Sequence, residues 1–207
     1  MLEKICNTIC LFGVIGSSII RAKYRNKNKS QVVRDTLKTR ELILSSLTLI
    51  ATSALPVFHN LTNLFQAFSI NLPAFIRILA IFVYLFGQYL FVLAHITLGT
   101  MWAPRLTIRK DHKLIRHGIY RYLRHPMYLA TWILVLSQGF LLSNWGIMIL
   151  GTVVWAIQYF LRIGEEESML QQEFGREYLA YKEKSGSLIP SDPFKFLAFL
   201  VQPWKDW

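Results

Sequence analysis

A chain of 207 residues that is 53% hydrophobic and only 17% charged falls well below the roughly 25% charge of a soluble domain, and its mean hydropathy is positive at +0.34. The apolar residues come in blocks of about 16 to 27, too long for ordinary core helices, which excludes a soluble domain, a disordered chain and a disulfide scaffold. The net charge of +11 is confined to two stretches: residues 21–40 hold eight Lys/Arg against one acid and residues 99–126 seven against one, whereas residues 162–207 hold six against eight. Basic loops between membrane spans explain a pI near 9.8 more simply than nucleic-acid binding, because positive charge is retained on the cytoplasmic side.

Five apolar blocks follow in chain order, at roughly 5–20, 42–58, 72–98, 127–142 and 145–161. About 17 helical residues cover about 25 Å, which is short but workable for a bilayer. In the first block the positive charges come after the apolar run, the reverse of a secretory signal, so it reads as a retained anchor. Cys6 and Cys10 lie there on one helix face and read as buried free thiols. The stretch 59–71 carries no Lys, Arg, Asp or Glu. Alternation then predicts the N-terminus outside, and loops 21–40 and 99–126 and the C-terminus in the cytoplasm.

Arg77, at the start of the third block, is expected to snorkel outward. Gln88, His95, Gln138 and Gln158 are expected to bond neighbouring helices. Only Ser143-Asn144 separates blocks four and five, which predicts a tight antiparallel hairpin. Ala130, Gly139, Gly146, Gly151 and Ala156 are small enough for its helices to approach closely.

Residues 112–128 hold three His, three Tyr and three Arg just before the fourth block. Pro126 suits the first turn of a helix, where its missing N–H is no loss. His125 is then the N-cap, beside exposed amides that favour a carboxylate or phosphate. Gly118 allows a turn that brings Tyr120 and Tyr122 toward the same mouth. An interfacial belt of Tyr and Arg is the plain alternative, but it needs neither the His-Pro pair nor the glycine. His112, His117 and His125 lack helix-face metal spacing, so no metal site is expected.

Residues 162–190 follow the fifth block. Met169, Leu170, Phe174, Tyr178 and Tyr181 recur at helical spacing and predict a C-terminal amphipathic helix against the membrane or the core. Arg162 and Glu166, four apart, share a face. They are either a solvated ion pair or two charges of opposite sign at the mouth formed with the histidine cluster.

At these two stretches the chain resembles the isoprenylcysteine carboxyl methyltransferase family of integral membrane enzymes. The matching residues are His112-x-Leu114-Ile115, Gly118-x-Tyr120, Arg124-His125-Pro126-x-Tyr128, Arg162-x3-Glu166-Glu167-x2-Leu170, Phe174-Gly175, Tyr178, Tyr181 and Ile189-Pro190. Ile119 stands where the family's Gly-Pro-Tyr turn has proline, and Ser187 where an arginine often precedes Leu-Ile-Pro. The resemblance covers roughly residues 95–190. It implies S-adenosylmethionine bound at the cytosolic face by His112, Lys113, Leu114, Ile115, Tyr120, His125, Pro126, Met127, Tyr128 and Glu166, with Arg162 holding the substrate carboxylate.

A carboxylate acceptor is already ionised at neutral pH, so it needs desolvation and alignment rather than a general base. An amine acceptor must lose a proton, for which His112, His125 or Glu166 is available. The expectation is an all-α, multi-pass bundle of about five spans. Residues 1–94 supply three N-terminal spans, the third running to about 98, and a basic loop. Residues 95–207 supply a methyltransferase core acting on a lipidic or prenylated small-molecule or protein acceptor. Phospholipid amine N-methylation, and non-catalytic binding of anionic membrane lipids by the basic loops, are the alternatives.

Overall fold

In the computed structural model, residues 1–25, 32–35, 38–62, 65–104 and 107–206 are described. The middle of the first basic loop, residues 26–31, 36 and 37, therefore lies outside the described residues. The chain is helical. Its helices are α1 (Leu2–Arg25), α2 (Lys38–Leu49), α3 (Leu55–Leu61), α4 (Ala74–Leu98), α5 (Pro126–Leu141), α6 (Trp145–Phe174), α7 (Arg176–Lys184) and α8 (Pro193–Val201). One wide turn of π-helix over Ile50–Ala54 joins α2 to α3, so these two run as one rod.

Among the described residues, four helices are long and apolar enough to cross a membrane: Leu2–Arg25, Thr39–Leu61, Ala74–Met101 and Trp145–Phe174. The fifth expected span, α5, is an apolar helix of 16 residues, about 24 Å long. It is packed between α4 and α6, which is how a short helix keeps its apolar surface covered. Large apolar side chains face outward on the long helices, among them Phe12, Phe75, Phe82 and Phe160, the surface expected where lipid replaces water as the solvent.

The all-α expectation meets one addition. β1 (Val32–Asp35), from the first basic stretch, pairs antiparallel with β2 (Thr107–Arg109), from the second, in the register Val32↔Arg109 and Asp35↔Thr107. The two basic stretches, far apart in sequence, thus meet at one end of the bundle.

The hairpin between α5 and α6 forms as expected. Asn144 caps α6 by accepting from the Ile147 N–H at 3.0 Å, and its amide donates to the Phe65 carbonyl at 2.7 Å. A Cβ on Gly139 would stand 2.2 Å from Cβ of Met148, so the two helix backbones meet where only glycine fits. Cys6 and Cys10 are buried free thiols. The polar residues of the spans largely bond across helices. Gln88 accepts from Ser17 at 2.8 Å, Gln138 donates to the Thr52 carbonyl at 3.3 Å, and Gln158 meets Thr48. His95 departs from this pattern. Its Nδ1 bonds the Phe91 carbonyl of its own helix at 2.8 Å, and its ring packs among Tyr24, Phe91 and Trp102.

The C-terminal region corrects the expectation of one amphipathic helix over 162–190. Nothing between 161 and 174 breaks the helix, so α6 runs unbroken for 30 residues. That is about 45 Å, half again the hydrocarbon thickness of a bilayer. Residues 162–174 therefore continue the fifth apolar block, and a turn at Gly175 starts α7. Tyr178 and Tyr181 of α7 are buried in the core rather than laid on a membrane surface. α8 is a further helix that the sequence pattern did not single out. It buries Phe196 and Phe199 against Tyr122 and exposes Phe194 and Val201.

Candidate functional site

The His-Pro segment is held in place from three sides. His125 is the N-cap of α5, with Pro126 in the first turn. Behind it the backbone pairs with the loop after α7: the Arg124 N–H donates to the Gly186 carbonyl at 2.8 Å and the His125 N–H to the Ser187 carbonyl at 3.2 Å. Gly118, at φ +55°, opens the preceding 3-10 turn in a conformation that side-chain-bearing residues rarely adopt. That turn carries Tyr120 to a buried position, where its carbonyl accepts from the Tyr181 hydroxyl at 2.6 Å.

Facing this segment is the end of α6 with its run of three glutamates. Tyr128, one turn into α5, donates its hydroxyl to Glu166. The His125 ring lies parallel to that of Tyr128, at 9° and 5.4 Å between centroids. Its Nε2 is 3.2 Å from Glu167 Oε1 and its Nδ1 3.7 Å from Glu166 Oε1. Glu167 also accepts from Arg124 Nε at 3.0 Å and Lys182 Nζ at 2.7 Å. One carboxylate thus ties the His-Pro turn to α6 and α7.

Between these elements lies a cavity that opens to the surface. His112, Lys113, Leu114, Ile115, Tyr120, His125, Met127, Tyr128, Arg162 and Glu166 all border it. Of the residues expected at the site, Pro126 alone does not. It sets the helix start and is buried there. One further expectation is corrected. Tyr122 packs against Phe196 and Phe199 instead of turning toward the mouth, because the 3-10 turn points alternate tyrosines to opposite sides. His117 lies outside the cavity, and among the described residues no group of His, Cys, Asp or Glu is arranged for a metal. Arg162 and Glu166 are not an ion pair with each other: Arg162 Nε is 3.2 Å from Glu41 Oε2, while Glu166 is engaged by Tyr128.

Burial pushes the hydroxyls of Tyr120, Tyr178 and Tyr181 well above the ordinary tyrosine range, so all three remain protonated donors and none is a base at neutral pH. The hydroxyls of Tyr178 and Thr107, which border the cavity, are buried without a hydrogen-bond partner among the described residues. Leaving them so is costly, and a polar ligand in the cavity would relieve that cost. Trp102, whose indole donates to Met127 Sδ at 3.2 Å, Met169 and Leu170 supply apolar wall.

Sequence reasoning passed over Glu41 and the clamp of Arg124 and Glu167. Glu167 was visible as part of a glutamate run. Glu41 is the single acid between Asp35 and Asp111, and an acid bordering an apolar block was the available signal.

This geometry accords with relatives. The model of the isoprenylcysteine carboxyl methyltransferase family matches residues 78–172. The chain is 36% identical over 110 residues to the protein-S-isoprenylcysteine O-methyltransferase of Schizosaccharomyces pombe, covering 52% of this chain and 46% of the relative. It is 33% identical over 118 residues to a probable protein-S-isoprenylcysteine O-methyltransferase of Oryza sativa, covering 56% and 62%. With the Dictyostelium discoideum protein-S-isoprenylcysteine O-methyltransferase it shares 38% identity over 109 residues, covering 51% and 45%. The match thus spans less than two thirds of each relative's length. The fold is that of the solved eukaryotic intramembrane Ras methyltransferase ICMT, with a TM-score of 0.51 at 24% identity over 77% of this chain and 55% of that one. The chain is an integral membrane protein, and the stretch that matches the isoprenylcysteine carboxyl methyltransferase family model, residues 78–172, runs from α4 through most of α6.

Proposed function

We propose that this protein is a membrane methyltransferase that uses S-adenosylmethionine to methylate the carboxylate of a lipidic acceptor of the isoprenylcysteine type. The observation that carries this reading is the convergence of His112–Ile115, Tyr120, His125, Tyr128 and Glu166 on one cavity with Arg162 in its wall. Bound there, S-adenosylmethionine supplies a methyl group made electrophilic by its sulfonium. The residues fit a ligand with both polar and apolar parts. Glu166 offers a carboxylate, the unpartnered hydroxyls of Tyr178 and Thr107 offer hydrogen bonds, and Leu114, Ile115 and Met127 offer apolar wall.

Arg162 is the group for the acceptor's carboxylate, as a guanidinium orients carboxylates by directed N–H bonds. The site excludes water and aligns the reactants, and no residue has to remove a proton. We place the two basic stretches and the C-terminus on the cytoplasmic side and the N-terminus outside. The donor then enters from the cytosol and the lipid acceptor laterally between helices.

The test uses the full chain purified in detergent. Binding of S-adenosylhomocysteine is measured by calorimetry, and transfer of labelled methyl to N-acetyl-S-farnesylcysteine by the base-labile ester formed. Micromolar binding with ester formation is the expected result. A folded protein that binds no S-adenosylhomocysteine overturns the donor assignment. One that binds it yet methylates only a phospholipid amine overturns the acceptor assignment.

A further inference from the structure

Glu41 is fully buried at the start of α2, with neither carboxylate oxygen hydrogen-bonded. It stands between two guanidinium groups, 3.2 Å from Arg162 Nε and 3.7 Å from Arg40 Nη2. Arg40 in turn pairs with Glu165 across to α6. A buried charge pair of this kind is poor value as a stabilising device, because apolar residues of like volume serve a fold as well or better. Its position supplies the reason. Arg162 borders the cavity, one turn before Glu166 on the same helix.

The guanidinium of Arg162 meets two neighbours. Its Nε lies 3.2 Å from Glu41 Oε2 as an ion-pair contact, out of line for a hydrogen bond. With its amide turned to suit its neighbours, Gln158 donates to the Leu44 carbonyl at 3.2 Å and accepts from Arg162 Nη1 at 2.9 Å. Nη2 makes no hydrogen bond to the described residues and is the edge left for a ligand.

We propose that Glu41 is a positioning and specificity-determining residue for the methyl acceptor: its charge, in contact with Arg162 at the Nε side, leaves Nη2 for the cavity and offsets the arginine's charge, so that an anionic acceptor is held by one directed hydrogen bond instead of a full ion pair. This rests on the proposed function, in which Arg162 meets the acceptor. Its physical logic is that a carboxylate gripped by an unopposed guanidinium has its lone pairs occupied and its charge stabilised, which makes it a weaker nucleophile. One held lightly, in a desolvated site, stays reactive. The pair Glu41–Arg162 is also nearly neutral as a unit, so the site reads the direction of a hydrogen bond more than the charge of the acceptor.

The experiment compares wild type and Glu41→Gln, full chain in lipid nanodiscs, at saturating S-adenosylmethionine. N-acetyl-S-farnesylcysteine is the acceptor and its carboxamide the neutral competitor. In wild type the KM of the acid and the Ki of the amide are expected to agree within about threefold. In Glu41→Gln the KM of the acid falls about fivefold while the Ki of the amide holds, kcat falls about tenfold, and S-adenosylhomocysteine affinity is unchanged. A purely structural role lowers the active fraction, so that kcat drops with KM and Ki unmoved, and that result overturns the proposal. So does a wild-type preference for acid over amide beyond about 100-fold, which is read even where the variant does not fold. If wild type binds S-adenosylhomocysteine but methylates no prenylcysteine, the acceptor assignment fails first and the role of Glu41 falls with it.

Discussion

The hydroxyl of Tyr128 donates to the carboxylate of Glu166 across the gap between α5 and α6, joining two residues 38 positions apart at the wall of the cavity. The bond fixes the direction in which Glu166 presents its remaining oxygen lone pairs, and the parallel stack of His125 on Tyr128 fixes the phenol ring. In the proposed site Tyr128 is then the support and Glu166 the contact.

The two have separable effects on binding. Glu166→Ala removes a charged partner of the donor's polar groups and should weaken S-adenosylhomocysteine by about 10- to 100-fold, the range for a hydrogen bond to a charged group. Tyr128→Phe keeps the ring and loses only the orientation, for a weakening of about threefold. His125→Ala removes the stack and falls between them. Calorimetry on the three variants reads this order. A Tyr128→Phe protein as impaired as Glu166→Ala would show that the phenol itself contacts the ligand.

Arg162 is separated from that arrangement by its partners. Its Nε side contacts Glu41 of α2 and, with the Gln158 amide turned, its Nη1 donates to Gln158; the His-Pro segment holds neither. Arg162→Ala should then abolish methyl transfer, by about 1,000-fold or more as expected for a lost orienting group, and leave S-adenosylhomocysteine affinity within about threefold. The measurement pairs turnover with binding on one preparation. Normal turnover in Arg162→Ala removes the acceptor role from this residue.

The pH dependence distinguishes oxygen from nitrogen as the methylated atom. Tyr120, Tyr178 and Tyr181 are kept protonated by burial, so none of them contributes an ionisation between about pH 6 and 9, below the reference tyrosine value near 10. An acceptor carboxyl, with a reference value near 4, is already ionised over that interval. The expected profile of kcat/KM is therefore flat over the upper part of that interval, from about pH 7.5 to 9, above the reference histidine value near 6.5. An amine acceptor must shed a proton first, which gives a rate rising with pH. Steady-state rates at constant ionic strength decide it, and a tenfold rise per unit would sink the carboxylate reading.

Much of this site was legible in the sequence because its parts are local. His125-Pro126 writes its own N-cap and first turn, Gly118 its own positive φ, and Ser143-Asn144 its own hairpin, each from a few adjacent residues. Hydropathy likewise gave α1, α4 and the apolar part of α6. What was not legible depends on pairing across distance. The spacing within α6 offers Arg162 only Glu166 as an ion-pair partner, but α2 brings Glu41 closer, and no periodicity within α6 reports what packs against it. The ribbon between β1 and β2 joins two loops whose charge argued only for sidedness. The length of α6 was missed because apolar patterning stops at 161 while the backbone, lacking any proline or paired glycines, keeps its helix to 174.

Glu167 offers a test of how the site is built rather than what it does. Its carboxylate is only 18% exposed and receives Arg124, itself 10% exposed, together with His125 and Lys182. Arg124 further donates from Nη1 to the carbonyls of Lys182 and Ser185. Removing the carboxylate leaves a mostly buried guanidinium short of its counter-charge and frees the turn between α7 and the His-Pro segment. Breaking such a buried pair costs about 3–5 kcal/mol. The exposed pair Arg116–Glu177, at 2.9 Å with side chains 50% and 48% exposed, is the matched control. Solvent screens it to about 0–1 kcal/mol. In detergent, Glu167→Ala should lower the unfolding temperature by about 6–20 °C and Glu177→Ala by no more than about 4 °C, at about 2–4 °C per kcal/mol for a chain of this size. Because Glu167 holds His125 as well, S-adenosylhomocysteine should raise the unfolding temperature of the Glu177→Ala protein as it does wild type, and do so less for Glu167→Ala. Equal shifts in the two variants would mean that the cluster of Arg124, His125 and Lys182 around Glu167 is a surface feature and that the His-Pro turn is held by its backbone pairing with Gly186 and Ser187 alone.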